Sequence, residues 1–170
     1  VIAPLTVQLI HAGAAGQLVI ARPSFQPVVI GPTNVNHDVL LARYGDAPAN
    51  TFHHGPENMA EIMVRCDLAV GAGGATTWER CCLGLPTLLI ATARHEAAVS
   101  EVFRSGAIGR YCGLYNELTV DTITSHISKA VNRPNLIREW SVNAARLVDG
   151  EGVDRVCAAI ARLQSAGVAT

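Results

Sequence analysis

The chain has 170 residues, 49% of them apolar and 16% charged, so it can bury a core and lies outside the disordered class. Its 13 basic and 14 acidic residues leave a net charge of −1, which argues against a broad electrostatic grip on nucleic acid or an anionic membrane. Lys129 is the only lysine and no G-K-[ST] sequence occurs, which excludes a P-loop.

The first 20 residues look helical, with Leu5, Leu9 and Ile10 at helical spacing and Gly13 and Gly16 interrupting them. Pro27 to Gly31 reads as a buried strand, Asn36 to Tyr44 as a helix, and Asn50 to His54 as a second strand. Glu57 to Cys66 is a helix with Met59, Ile62 and Met63 as its apolar stripe. The strand Asp67 to Gly71 follows, and then a helix from Thr76 to about Leu83. Pro86 to Ala91 is a strongly apolar strand, Glu96 to Ser105 a helix stopped by Gly106, and Ala107 to Cys112 a last short strand. After Thr119 the pattern is all-helical: Thr119 to Val131, Asn135 to Val148 and Val153 to Ala166, punctuated by Asn132-Arg133-Pro134 and Asp149-Gly150-Glu151-Gly152.

Strands alternating with helices of about ten residues imply βαβ units: an α/β, Rossmann-like parallel sheet with helices on both faces and extra helices at the carboxyl end. Runs such as Leu88-Leu89-Ile90 are apolar at successive positions, as burial on both faces requires. Ligands in such folds sit outside the carboxyl ends of the strands. That directs attention to Gly31-Pro32-Thr33-Asn34, His54-Gly55-Pro56, Gly71-Ala72-Gly73-Gly74 and Thr92 to Glu96.

The longest suspicious apolar stretch, Cys81 to Ala93, has 13 residues, whereas a membrane span needs about 18 or more. Residues 1–20 carry no Lys or Arg that could form the charged region of a signal peptide. The five cysteines, Cys66, Cys81, Cys82, Cys112 and Cys157, are odd in number and sit mostly in apolar runs. They read as buried reduced thiols of a cytoplasmic protein. Cys81-Cys82 lacks ligand spacing, so no metal site is expected, and no cofactor either.

The sharpest segment runs from Asp67 to Pro86, with the sequence D-L-A-V-G-A-G-G-A-T-T-W-E-R-C-C-L-G-L-P. It reads strand, glycine turn, helix, glycine, strand. Gly71, Gly73 and Gly74 allow a tight turn and close approach of the backbone to a ligand. Thr76 and Thr77 open the helix, where free N–H groups and the positive dipole end favour a phosphate or diphosphate. One turn on, the Glu79 carboxylate can accept two hydroxyl hydrogen bonds, as the acidic residue of dinucleotide folds does with a ribose diol. The alternative is an ordinary glycine-rich turn. The dinucleotide fingerprint itself would need glycine where Thr76 stands.

This segment closely resembles the nucleotide-binding stretch of the UDP-sugar hydrolases of pseudaminic acid biosynthesis, which act on UDP-2,4-diacetamido-2,4,6-trideoxy-β-L-altropyranose. Val29 to Asn36 and Pro56 to Met63 support the resemblance, which covers roughly Pro27 to Gly113. More distantly, the segment is similar to the carboxyl-terminal domain of the N-acetylglucosaminyltransferase that makes lipid II. The resemblance implies the carboxyl-terminal half of a GT-B architecture that holds UDP or a UDP-sugar. It implies that Gly73, Gly74, Ala75, Thr76 and Thr77 face the diphosphate and that Glu79 holds the ribose. His54 and Gly55 would meet the uracil with Met59 behind it, and Thr33 and Asn34 would border the cleft. The family has Ser where Ala75 stands and Asn-Gln where His95-Glu96 stand, which puts these last two on the sugar side. A glycosyltransferase donor domain and a non-catalytic nucleotide-sugar binder share the same pattern.

The family's catalytic histidine lies in a G-x-G-H setting absent from this sequence, so no catalytic residue is assigned. Val1, in place of Met, fits a single domain (1–170) separated from an amino-terminal catalytic domain that would be its partner. The glycine-rich first strand of the family is missing as well. The central slot of the sheet is then expected to be filled by Leu18-Val19-Ile20, a second copy of the chain or a rearranged amino terminus. Among the remaining residues, His53 and His54 point to opposite faces of a strand. Trp78 and Trp140 read as core packing, Glu57 and Glu61 as a solvated helix face, and Arg138, Arg146, Arg155 and Arg162 likewise.

Overall fold

The computed structural model describes residues 16–20, 26–30, 36–44, 50–92 and 97–167. Thirteen elements follow in chain order: β1 (Gly16–Ile20), β2 (Gln26–Ile30), α1 (His37–Tyr44), β3 (Asn50–His54), α2 (Met59–Met63), β4 (Leu68–Ala72), α3 (Ala75–Cys82), β5 (Thr87–Ala91), α4 (Ala97–Arg104), β6 (Gly109–Leu114), α5 (Val120–Val131), α6 (Pro134–Leu147) and α7 (Gly152–Gly167). From β2 onward they agree with the periodicity to within a few residues.

The helix ends carry the expected chemistry. Thr119 caps α5 by accepting a hydrogen bond from the Thr122 N–H at 3.2 Å, and Asn58 caps α2 through the Glu61 N–H at 3.3 Å. Pro134 stands in the first turn of α6, where its missing N–H costs nothing. Gly84, at φ +62°, stops α3. There a Cβ would lie 3.2 Å from the Ser141 carbonyl oxygen, so glycine also lets α3 and α6 approach.

Among the described residues, six strands form one sheet in the order β3-β2-β1-β4-β5-β6. The pairs β2–β3, β4–β5 and β5–β6 are parallel. β1 lies in the middle and runs antiparallel to both neighbours, with Leu18 opposite Val28 on one side and Val70 on the other. The reading of residues 1–20 as helix is therefore corrected for 16–20, and residues 1–15 lie outside the described ones. The central slot is filled from within the chain by the Leu18-Val19-Ile20 segment. The reason is backbone accounting: β2 and β4 each present a row of N–H and C=O groups to that slot, and leaving both rows buried and unpaired would be costly.

The apolar runs are buried on both faces, as their composition requires. On one face Leu68, Val70 and Leu88 pack with Ile123, Ile127 and Ala130 of α5 and with Trp140 of α6. Val28 and Ile30 pack there with Phe52 and Leu40 of α1. On the other face Leu89 meets Cys81, Phe103, Ile108 and Ala144, while Ala69 meets Met63 and Leu85. Trp140 is buried as expected, and its Nε1 donates to the Gly106 carbonyl at 2.7 Å. Trp78, expected in the core, is 38% exposed, because α3 turns Thr77, Arg80 and Cys81 inward instead. The cysteines divide similarly. Cys81 is buried and Cys66 and Cys112 are half-buried, but Cys82 and Cys157 are exposed, and all five are free thiols.

Glu57, Glu61, Arg138, Arg146, Arg155 and Arg162 are exposed. Among the described residues no helix is long and apolar enough to cross a membrane, and no three His, Cys, Asp or Glu side chains gather as a metal site.

Candidate nucleotide-binding edge

All five mutually parallel strands end at one edge of the sheet, at Ile30, His54, Ala72, Ala91 and Leu114. The turn after β4 is the best-defined feature there. Ala72 leads through Gly73 to Gly74, which sits at φ +133°, ψ −168° as the N-cap of α3. This backbone region is essentially reserved for glycine. Gly74 has no side chain to cap the helix, and a Cβ placed on it would meet nothing within 4 Å. The turn is thus open on its outer side. The opening N–H groups of a helix lack intrahelical acceptors and carry the positive end of its dipole.

Along α3 the side chains divide sharply. Ala75 and Glu79 are exposed and Thr76 is half-buried, so these lie on the open side or at its rim. Thr77 is fully buried. Its N–H donates to the Gly74 carbonyl at 3.0 Å, and its hydroxyl accepts from Arg80 Nη2, also at 3.0 Å. Thr77 was expected to offer its N–H to the anion; in the structure that N–H and the hydroxyl both serve the architecture of the turn.

Arg80 escaped that reading altogether. It is 1% exposed, and its Nη2 also donates to the Ala72 carbonyl at 2.8 Å. Its Nε is buried without a hydrogen-bond partner. Burial holds the guanidinium down at about 10, still protonated at neutral pH. Its spacing puts Arg80 on one face of α3 with Thr77 and Cys81, but that this face is the inward one follows from the packing and not from the sequence.

The turn after β3 lies on the same edge. Gly55, at φ +54°, donates its N–H to the Ile30 carbonyl at 3.0 Å and ends the β2–β3 pairing. His54 is exposed, whereas His53 faces the other way, half-buried, with Nε2 enclosed and unpartnered. Met59, half-buried at the start of α2, packs against Met63, Ala69 and Leu85. Between the β3 and β4 turns stand β2 and β1, so three strand spacings, on the order of 14 Å, separate them. Beside β5, the end of β6 is bulged: Leu89 pairs with Tyr111 but Ile90 with Gly113. Thr33 and Asn34, after β2, and His95 and Glu96, after β5, lie outside the described residues.

The strand order and the helices on both faces give the chain a Rossmann-like α/β fold, with the glycine turn at the carboxyl edge of the sheet. Two solved structures share this fold. Acinetobacter baumannii MurG superposes with a TM-score of 0.62 over 79% of this chain and 40% of that one, at 21% identity. Spinosyn forosaminyltransferase SpnP superposes with a TM-score of 0.51 over 65% of this chain and 31% of that one, at 18% identity.

In sequence, the chain is 25% identical over 145 residues to the spore coat polysaccharide biosynthesis protein SpsG of Bacillus subtilis. It is 32% identical over 96 residues to the UDP-N-acetylglucosamine–N-acetylmuramyl-(pentapeptide) pyrophosphoryl-undecaprenol N-acetylglucosamine transferase of Crocosphaera subtropica. These alignments take in 85% and 54% of this chain, which spans 43% and 27% of the two proteins' own lengths. No protein-family model matches the chain.

Proposed function

We propose that this domain holds the UDP moiety of a nucleotide sugar as the donor-binding domain of a GT-B-type glycosyltransferase. The observation that carries the reading is the β4–α3 turn, where a glycine-only backbone at Gly74 opens an uncapped helix N-terminus at the carboxyl edge of the sheet. The likeness to MurG and to a transferase named for UDP-N-acetylglucosamine supports both the nucleotide and the reaction class.

In this reading the N–H groups of Gly73, Gly74, Ala75 and Thr76, with the Thr76 hydroxyl, receive the diphosphate, and Glu79 accepts the ribose hydroxyls. The base reaches the His54–Gly55 turn with Met59 behind it. The separation of the two turns suits an extended nucleoside diphosphate. Thr33 and Asn34 border the same cleft, and His95 and Glu96 lie toward the sugar. As the bond from the anomeric carbon to the diphosphate breaks, the α3 N-terminus stabilises the charge gathering on the departing UDP. The attacking hydroxyl and the base that activates it come from outside this domain.

Hydrolysis of a UDP-sugar is the second reading, favoured by the resemblance of Asp67 to Pro86; water then replaces the acceptor hydroxyl at the same site. Calorimetric titration with UDP, UMP, CMP and ADP tests the nucleotide claim, and absence of saturable UDP binding refutes it. Glu79→Ala should weaken UDP binding by about 1–3 kcal/mol, the cost of a lost charged acceptor. UDP release by the full-length protein without any acceptor would favour hydrolysis over transfer.

A further inference from the structure

The geometry points to Arg80 as the positioning residue of the anion turn: its guanidinium clamps the exit of β4 to the first turn of α3, and the positive charge it holds beneath that turn has the ligand's diphosphate as its counter-ion. The inference rests on the nucleotide-sugar reading and names what that reading left out, the source of charge under the site.

Two observations and one physical argument carry it. First, one nitrogen, Nη2, reaches both limbs of the turn: the Ala72 carbonyl at 2.8 Å where β4 ends, and the Thr77 hydroxyl at 3.0 Å where α3 begins. Gly73 and Gly74 lie between those anchors, so the clamp fixes the span that the nucleotide-sugar reading assigns to the diphosphate. Second, the fold leaves the group incompletely satisfied. Nε is buried without a partner, and among the described residues Arg80 makes no ion pair. Glu79, the one carboxylate acting on it electrostatically among the described residues, is itself exposed. Third, a buried charge without a partner is expensive, and an apolar side chain of similar volume would cost less. The bound diphosphate provides a counter-ion in the low-dielectric setting where charge attraction acts most strongly.

The site also explains why lysine would serve less well. Both bonds leave one nitrogen, and an ammonium could also donate to two acceptors, but on its flexible stem it holds the two limbs less rigidly than the pre-organised planar guanidinium.

The test compares wild type, Arg80→Met and Arg80→Lys for binding of uridine, UMP, UDP and inorganic diphosphate, by calorimetry and by ligand-induced shift of the melting temperature. Arg80→Met should lose about 10- to 100-fold in affinity for UDP, less for UMP, and keep uridine affinity within about threefold, because only the phosphates feel the charge. Arg80→Lys should recover part of the UDP affinity and of the UDP-over-uridine preference.

UDP binding by Arg80→Met equal to that of wild type overturns the inference. So does an equal loss of uridine and UDP, which would make Arg80 a purely structural brace. If Arg80→Met fails to fold, Thr77→Val, which removes one anchor of the clamp, must lower UDP affinity selectively over uridine, and an unselective effect again overturns the inference. Wild type that ignores UDP but is stabilised by inorganic diphosphate, with Arg80→Met insensitive to it, sinks the nucleotide reading and leaves the Arg80 inference standing. Wild type insensitive to both sinks both.

Discussion

Replacing Gly74 by Ala separates the strain of the turn from its chemistry. Gly74 holds φ +133°, ψ −168° at the N-cap of α3, and its Cβ position is empty to 4 Å. The added methyl therefore clashes with nothing, and the cost is backbone strain alone. If the turn keeps its shape, holding alanine in this region costs about 1–3 kcal/mol. For a domain of this size each kcal/mol moves the melting temperature by about 2–4 °C, so a fall of roughly 2–12 °C is expected. If the backbone instead relaxes toward negative φ, the strain is relieved, but the turn changes shape at the start of α3 and UDP affinity drops.

Stability and affinity thus trade against each other, and at least one must fall. Gly106→Ala is the control. Gly106 stands at φ +73°, also with nothing within 4 Å, but after α4 and away from the carboxyl edge. It should lose stability by about 1 kcal/mol while UDP titrates as in wild type. Thermal unfolding and calorimetry on the two variants decide the matter. A Gly74→Ala protein with wild-type melting temperature and wild-type UDP affinity would refute the view that this backbone shape forms the site.

Three further outcomes follow from the structure. Trp140→Phe removes the donor to the Gly106 carbonyl and should cost about 1–3 kcal/mol in denaturant unfolding, because a partly buried carbonyl is left unpaired. In the native protein, Cys82 and Cys157 should react fast with an aromatic disulfide reagent at pH 8. Burial raises the Cys81 thiol and pushes Cys66 up to about 11 and Cys112 up to about 12, so these three should react only on unfolding. Asp149 accepts from Arg155 Nη1 at 2.7 Å and Nη2 at 3.0 Å and from the Glu151 N–H at 3.0 Å, which hold its carboxyl down at about 2. Since the folded value lies below the unfolded one, its contribution is present above the ordinary carboxylate range and is lost as pH falls toward 2. In carbon-detected NMR titration, Arg155→Ala should move the Asp149 midpoint upward.

The sequence by itself determined the local elements, because their signals are local. Successive apolar residues marked β4 and β5 as doubly buried strands, Thr119 marked a helix start, Gly84 a stop, and Asn132-Arg133-Pro134 and Asp149-Gly150 the breaks between helices. The glycine turn and its place before a helix were legible for the same reason, as were His54-Gly55 and Glu79 as residues at one edge of an α/β sheet.

What only the tertiary structure decided depends on partners distant in the chain. Leu18-Val19-Ile20 was one of several candidates for the central slot; that it takes this place between β2 and β4, antiparallel to both, was decided only by the fold. The inward set of α3 was fixed by its packing on the sheet and on α6. That packing exposed Trp78 and Cys82, which composition alone would bury, and buried Arg80, which composition alone would expose. Hydropathy ranks side chains by their average preference. Which residue is enclosed is settled by the neighbours the fold brings to it, and here those neighbours seat a positive charge under the turn.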